Sequence, residues 1–180
     1  MTFRSLVASS TALVAIAIPG CSAPPPATNA AAEPPPPAIA AWMDRLTVAH
    51  EYDPNTGFIV ARETIPLPPV IANGPSLEVA IEAAGSDRLV IAFATADRCA
   101  PCQQFKKDAL NDATVVATLS ETRFLPTHLE VDASPELADR LLGSRAIPMT
   151  YALRDGVVVA QLRGQRSAND LSAWLADLSR

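Results

Sequence analysis

An unbroken apolar run, Leu89-Val90-Ile91-Ala92-Phe93-Ala94, is followed closely by Cys99-Ala100-Pro101-Cys102 and then by a helix-compatible segment, Gln103 to Leu110. This order constrains the fold more than any other feature of the chain. A run with no polar alternation suits a strand buried on both faces, with helices on either side of a mixed sheet. Two cysteines separated by two residues can close a small disulfide and reopen it by thiolate attack, which makes redox chemistry the leading reading. Cys99 then stands at a helix N-terminus, where unpaired N–H groups and the helix dipole favour a thiolate and lower its pKa. Cys99 is expected to attack, and Cys102, one turn further in and more buried, to resolve the mixed disulfide.

Other uses of such a pair are constrained by the rest of the sequence. A structural zinc site takes four ligands, yet no second CxxC or closely spaced Cys/His pair exists, and the two histidines, His50 and His128, lie far from the motif in sequence. No metal is expected. A c-type haem site needs histidine at position 103, where Gln103 stands. A purely structural disulfide stays open, although a loop this short constrains the unfolded chain little.

Length and composition allow one core plus extensions: 180 residues, 49% hydrophobic and 18% charged. The net charge of -5 and the absence of a Lys/Arg cluster give no support to nucleic-acid binding. Residues 1–20 read as a leader, because Met1 to Ser5 carries one arginine and precedes an apolar stretch, Leu6 to Ile18, too short to span a bilayer as a mature helix. Ile18-Pro19-Gly20-Cys21 resembles the bacterial lipobox, with Pro19 where a small residue is usual. That resemblance implies lipidation of Cys21, and Ser22 after it implies an outer-membrane anchor facing the periplasm. Ordinary cleavage after Ala23 is the competing reading, with Pro24 just past the cut. Of the three cysteines, removal of Cys21 to a thioether leaves one pair in a compartment where disulfides persist. Residues 21–37, rich in Pro and Ala, read as an extended tether.

Residues 38–75 form an N-terminal extension to which the sequence assigns no chemistry. Ile39, Trp42, Met43 and Leu46 share one helical face, expected to pack on the main domain. Asp53 to Gly57 reads as a turn and Phe58 to Ile65 as a strand. From residue 76 a βαβ-like order follows. Leu77 to Ala84 is helical, Arg88 to Ala94 a strand, Gln103 to Leu110 and Asp112 to Leu119 helical, Arg123 to Val131 a strand and Pro135 to Leu142 a helix. Met149 to Leu153 and Val157 to Arg163 are strands joined by an Arg154-Asp155-Gly156 hairpin turn. Ser167 and Asp170 resemble a capping box opening a last helix with an apolar stripe at Leu171, Trp174, Leu175 and Leu178.

From Leu77 to Arg180 the chain resembles the thioredoxin superfamily, on Asp97 to Cys102, the Val131-Asp132 strand end, Ser144 to Thr150 and the Gly164 after the last strand. The resemblance implies an α/β fold, a thioredoxin-like three-layer α/β/α sandwich with a mixed central sheet, over residues 76–180. It implies that Pro148 is the family's cis-proline beside the cysteine pair, and that Ile147 offers its backbone to an extended substrate strand. Three positions depart from the family: Arg98 replaces the tryptophan before the first cysteine, Phe93 replaces the buried acid, and the dipeptide is Ala100-Pro101. Arg98 is expected to stabilise the Cys99 thiolate by about 1 kcal/mol or less, partly offset by Asp97. Losing the acid removes a proton acceptor for Cys102. Lys106 and Lys107 read as a solvated helix face.

The expectation that results is an exported, membrane-tethered thiol-disulfide oxidoreductase acting on protein disulfides through Cys99 and Cys102, with Arg98 and Pro101 as modulators. Its partners would be protein substrates and an upstream redox protein, and no bound cofactor is required because electrons move through the disulfide. A binding or assembly module on the same fold, with a structural disulfide, is the alternative. Thiol titration separates the two.

Overall fold

The computed structural model describes residues 34–178, so the readings for the leader, Cys21 and most of the tether lie outside the described residues. At the centre, strand β3 (Leu89–Thr95) is buried at every position, as its uninterrupted apolar run requires. It pairs in parallel with β4 (Phe124–Glu130), Leu89 opposite Phe124 and Thr95 opposite Glu130. On its other edge it pairs antiparallel with β5 (Met149–Arg154), which turns into β6 (Val157–Arg163). The sheet is mixed, in the order β4-β3-β5-β6 counted by these labels. Asp155 and Gly156 close the β5–β6 hairpin with φ of 50° and 75°, the positive pair that a two-residue turn matched to strand twist requires.

Alternation along β3 divides the core. Ile91 and Phe93 face one side, with Phe105, Leu110, Val115 and Leu171; Val90 and Ala92 face the other, with Leu77, Leu129 and Leu142. The first side is covered by α4 (Ala100–Phe105), α5 (Ala113–Leu119) and α7 (Ala168–Asp177). The second is covered by α3 (Leu77–Ala84) and α6 (Pro135–Leu137). This is the expected three-layer α/β/α sandwich. Phe93 is fully buried, 6.4 Å from the Phe105 ring centroid; truncating such a side chain to alanine costs about 3–5 kcal/mol.

Helix boundaries follow their caps. The Asp112 carboxylate accepts the N–H groups of Thr114 and Val115 at 2.8 and 3.2 Å. The Ser167 hydroxyl oxygen accepts the Asp170 N–H at 3.1 Å. α4 and α6 each continue as a π-helical turn, Lys106–Leu110 and Ala138–Leu142, so both expected helices keep their lengths but widen in their second halves.

The extension differs more from its expectation. α1 (Pro37–Met43) is the short amphipathic helix, and Trp42 and Met43 pack, as expected, on a cluster that includes Ala100 of the main domain. β1 (His50–Asp53) and β2 (Phe58–Ala61) form an antiparallel hairpin. β1 escaped sequence reading because His-Glu-Tyr-Asp carries no apolar alternation. β2 stops at Ala61, short of Ile65. A one-turn helix, α2 (Pro69–Ala72), follows the proline run, with Pro69 in the first turn, where a missing N–H costs nothing. A Cβ at Gly74 would lie 2.5 Å from the Pro126 carbonyl oxygen, so only glycine lets this segment reach β4. Among the described residues, no helix is long and apolar enough to cross a membrane.

Candidate active site

Cys99 is the N-cap residue of α4, with extended backbone (φ -87°, ψ 109°), and its sulfur accepts the Cys102 N–H at 3.2 Å. The two cysteines are joined by a disulfide across a Cα separation of 5.1 Å. Their environments differ: Cys99 keeps 9% of its surface exposed and Cys102 none. The Cys99 sulfur thus sits at the N-terminal end of α4 against the Cys102 N–H, the kind of position that favours a thiolate once the bridge is reduced. Pro101 sits in that first turn, where its missing donor leaves no helical bond unmade.

Ile147 packs with Cys99, Cys102 and Ala96, and the Ile147–Pro148 peptide bond is cis. The Pro148 carbonyl is held by the Gly164 N–H at 2.9 Å, and no backbone hydrogen bond among the described residues engages Ile147. The residues named from sequence, Arg98, Cys99, Pro101, Cys102, Ile147 and Pro148, therefore meet at one end of the sheet.

One expectation about charge is corrected, that for Lys106, and Arg98 gains a partner that the sequence did not name. The Arg98 guanidinium makes a two-pronged ion pair with Asp132, at 2.6 and 3.0 Å, and lies 5.2 Å from the Phe58 ring centroid. The Asp132 hydrogen bond raises the pKa of Arg98. Its counter-charge is Asp132. Lys106 is not solvated: its side chain is 3% exposed and donates to Asp97 at 3.1 Å. The wider π turn carries Lys106 inward, whereas Lys107 remains exposed and donates to the Thr47 hydroxyl at 3.0 Å.

Sequence reading also missed a polar group on β4. Phe93, standing at the position of the family's acid, pairs in register with His128, whose Nε2 is 2.7 Å from Thr95 Oγ1. Burial, reinforced by the Lys106 ammonium and opposed by Asp97, lowers the His128 pKa to about 4. Glu130 accepts the Asp97 N–H at 3.3 Å, and burial raises its pKa. Asp97, Lys106 and His128 line an open cavity of about 390 Å³ bordered on its other side by residues of the segment from Thr64 to Ser76. No periodicity brings positions 97, 106 and 128 together; the parallel β3–β4 register does. No group of three His, Cys, Asp or Glu side chains among the described residues is arranged to hold a metal ion.

The extension, given no chemistry from sequence, borders the cysteines. Val60 forms an antiparallel bridge with Cys99, and the Ala61 N–H donates to the Arg98 carbonyl at 2.8 Å. Gln103 Oε1 accepts the Ile65 N–H at 2.7 Å while its Nε2 donates to the Asp97 carbonyl at 2.9 Å. A second cavity, about 260 Å³, opens between Trp42, Phe58 and Ile59 on one side and Arg98, Cys99 and Ile147 on the other.

Comparison with known proteins accords with this architecture. Residues 78–179, more than half the chain, match the thioredoxin-like domain family, and the chain belongs to it. Among solved structures, a thioredoxin from Thermus thermophilus is 26% identical over 58% of this chain and 84% of its own, with a TM-score of 0.50. The germline-specific thioredoxin Deadhead from Drosophila melanogaster is 25% identical over 56% of this chain and 90% of its own, with a TM-score of 0.46. No curated protein matches the chain. The family's fold together with a disulfide-bonded pair at CxxC spacing supports chemistry of the thiol-disulfide oxidoreductase type.

Proposed function

We propose that this protein exchanges disulfides with protein partners, with Cys99 as the attacking and Cys102 as the resolving thiol. The observation that carries the reading is the asymmetry of the pair: one sulfur, capped by a helix N–H, reaches a groove, and the other is fully buried behind it. In the reducing direction the Cys99 thiolate attacks one sulfur of the partner's disulfide, forms a mixed disulfide and expels the second sulfur as a thiolate, which takes a proton. Cys102, deprotonated, attacks the Cys99 sulfur, re-forms the intrachain bond and releases the first partner sulfur; two electrons pass to the partner. The reverse sequence oxidises it, and another redox protein restores the starting state. Ile147, with its backbone unpaired beside the cysteines, and Pro148 position the partner chain.

The same proposal places the protein in the cell envelope, held by a lipid on Cys21 at the outer membrane and facing the periplasm. Its support is the lipobox-like Ile18-Pro19-Gly20-Cys21, Ser22 and the proline-rich stretch that follows.

Cys102→Ala tests the roles, because removal of the resolving attack leaves mixed disulfides trapped on Cys99. Adducts should accumulate with Cys102→Ala and not with Cys99→Ala. Equal yields from the two variants contradict the assignment, and a bridge that resists mild reductants favours a binding module instead.

A further inference from the structure

We propose that the extension, residues 37–65, is a selectivity element of the redox site: it forms with Cys99 a neutral apolar notch that seats one apolar side chain flanking the exchanging cysteine of an extended polypeptide. The inference rests on Cys99 being the exchanging thiol and adds what it selects. The notch lies partly on residues before 78, outside the span that the thioredoxin-like family matches.

The extension is fixed to the motif and does not merely lie near it. β2 bridges to Cys99 through Val60 and donates to the Arg98 carbonyl from Ala61. Two consecutive glutamines of α4, both buried, hold it from below: Gln103 accepts the Ile65 N–H, and Gln104 accepts the Thr47 and Val48 N–H groups at 2.7 and 3.1 Å. Any chain approaching the Cys99 sulfur through this groove therefore meets Trp42 and Phe58 as part of the same wall.

The occupant follows from the lining. Cys99 supplies the notch's reactive atom, so the occupant brings a sulfur. Ile147 supplies an unpaired backbone at the same place, which matches a peptide. The volume, about 260 Å³, falls below the range of about 300–1,000 Å³ typical of small-molecule sites and has room for a side chain or two. The charge is already balanced: Arg98 is paired with Asp132, so an incoming carboxylate or ammonium would lose its water without gaining a counter-ion. Phe58 is 54% exposed at the rim, with the Arg98 guanidinium over its ring, leaving apolar surface that a partner side chain can cover.

The experiment uses the full chain with Cys102→Ala, equilibrated with short peptides whose single cysteine is capped as a disulfide by 2-mercaptoethanol and flanked by leucine, phenylalanine, serine or aspartate. In each exchange the Cys99 thiolate bonds to the peptide sulfur and 2-mercaptoethanol leaves as its thiolate; mass spectrometry reads the equilibrium constant. Leucine and phenylalanine peptides should exceed the serine peptide by about five- to tenfold, with aspartate lowest. Phe58→Ser and Trp42→Ala, added singly, should each at least halve that ratio. Phe58 is exposed, so its replacement keeps the fold even where Trp42→Ala loosens α1. Equal constants for all peptides, or an unchanged ratio in Phe58→Ser, overturns the proposal. Reactivity of the wild-type bridge toward reduced glutathione is measured alongside: an inert bridge defeats the oxidoreductase reading, while the peptide ratios still decide the notch.

Discussion

Gln104 Oε1 accepts the backbone N–H of Val48 at 3.1 Å, joining the cysteine helix to a segment far upstream in the chain. The same oxygen accepts the Thr47 N–H at 2.7 Å, and the amide nitrogen donates to Asp108 at 2.6 Å. A buried backbone donor must find an acceptor. Gln104→Leu keeps similar bulk but leaves both N–H groups without one, at a cost of about 1–3 kcal/mol for each group that stays dry. The expected outcome is a lower melting temperature together with faster proteolytic cleavage between residues 44 and 65. Unchanged melting and cleavage would show that water replaces the glutamine at no cost.

His128 makes stability pH-dependent. Its pKa is about 4 in the fold and 6.5 in the unfolded chain, because burial disfavours the charged ring, and Lys106 adds to this. Between those values the unfolded state binds the extra proton, so stability is fully present above pH 6.5 and declines as pH falls toward 4. With solvent reaching part of the ring, the loss should amount to about 2 kcal/mol. Urea denaturation at pH 7 and pH 4.5 measures it, and His128→Leu should flatten that part of the profile.

Asp97 and Lys106 pull the same histidine in opposite directions. Lys106→Met should raise the His128 pKa and Asp97→Asn should lower it further, as read by NMR titration of the ring. Stability should move unequally. Asp97→Asn leaves a buried ammonium without its carboxylate, whereas Lys106→Met leaves only a solvated one, so the first should cost more, by about 1 kcal/mol or more. The opposite order would indicate that the ammonium has other support.

Gly74→Ala probes the contact between the segment after α2 and β4. The added methyl would meet the Pro126 carbonyl oxygen at 2.5 Å and that of Ile71 at 3.1 Å. Neither is a side chain that can swing aside, so the expected loss is about 1–3 kcal/mol of stability. Denaturant midpoints of the two proteins measure it.

Cys21→Ala tests the proposed anchor. The wild type should partition with membranes and the variant with the soluble fraction. A wild type already soluble and beginning at Pro24 would remove the lipid from the proposal.

Local signals made the main domain readable. The Leu89 to Ala94 run could bury only as a two-faced central strand, Asp155-Gly156 could supply the two positive φ values of a tight hairpin, and Asp112 and Ser167 marked helix starts. Cys99, Cys102, Ile147 and Pro148 could be named as candidate site residues because spacing within each motif, together with the resemblance, groups them, and the fold brings them together. The partners of Arg98 and Lys106 were not legible. The pairing of Arg98 with Asp132 depends on where β4 ends beside the loop, and burial of Lys106 depends on a π turn that no propensity signals.

By itself the sequence determined the βαβ order, the buried strand and the cysteine pair at a helix start, since these follow from hydrophobic period, turn chemistry and covalent spacing. Only the tertiary structure decided that His128 sits beside Thr95, that Asp97 neutralises a buried Lys106, and that Trp42 and Phe58 wall the Cys99 groove. Those relationships are set by strand register and by side chain-to-backbone hydrogen bonds between distant segments, such as Gln104 to Val48, which leave no periodic trace along the chain.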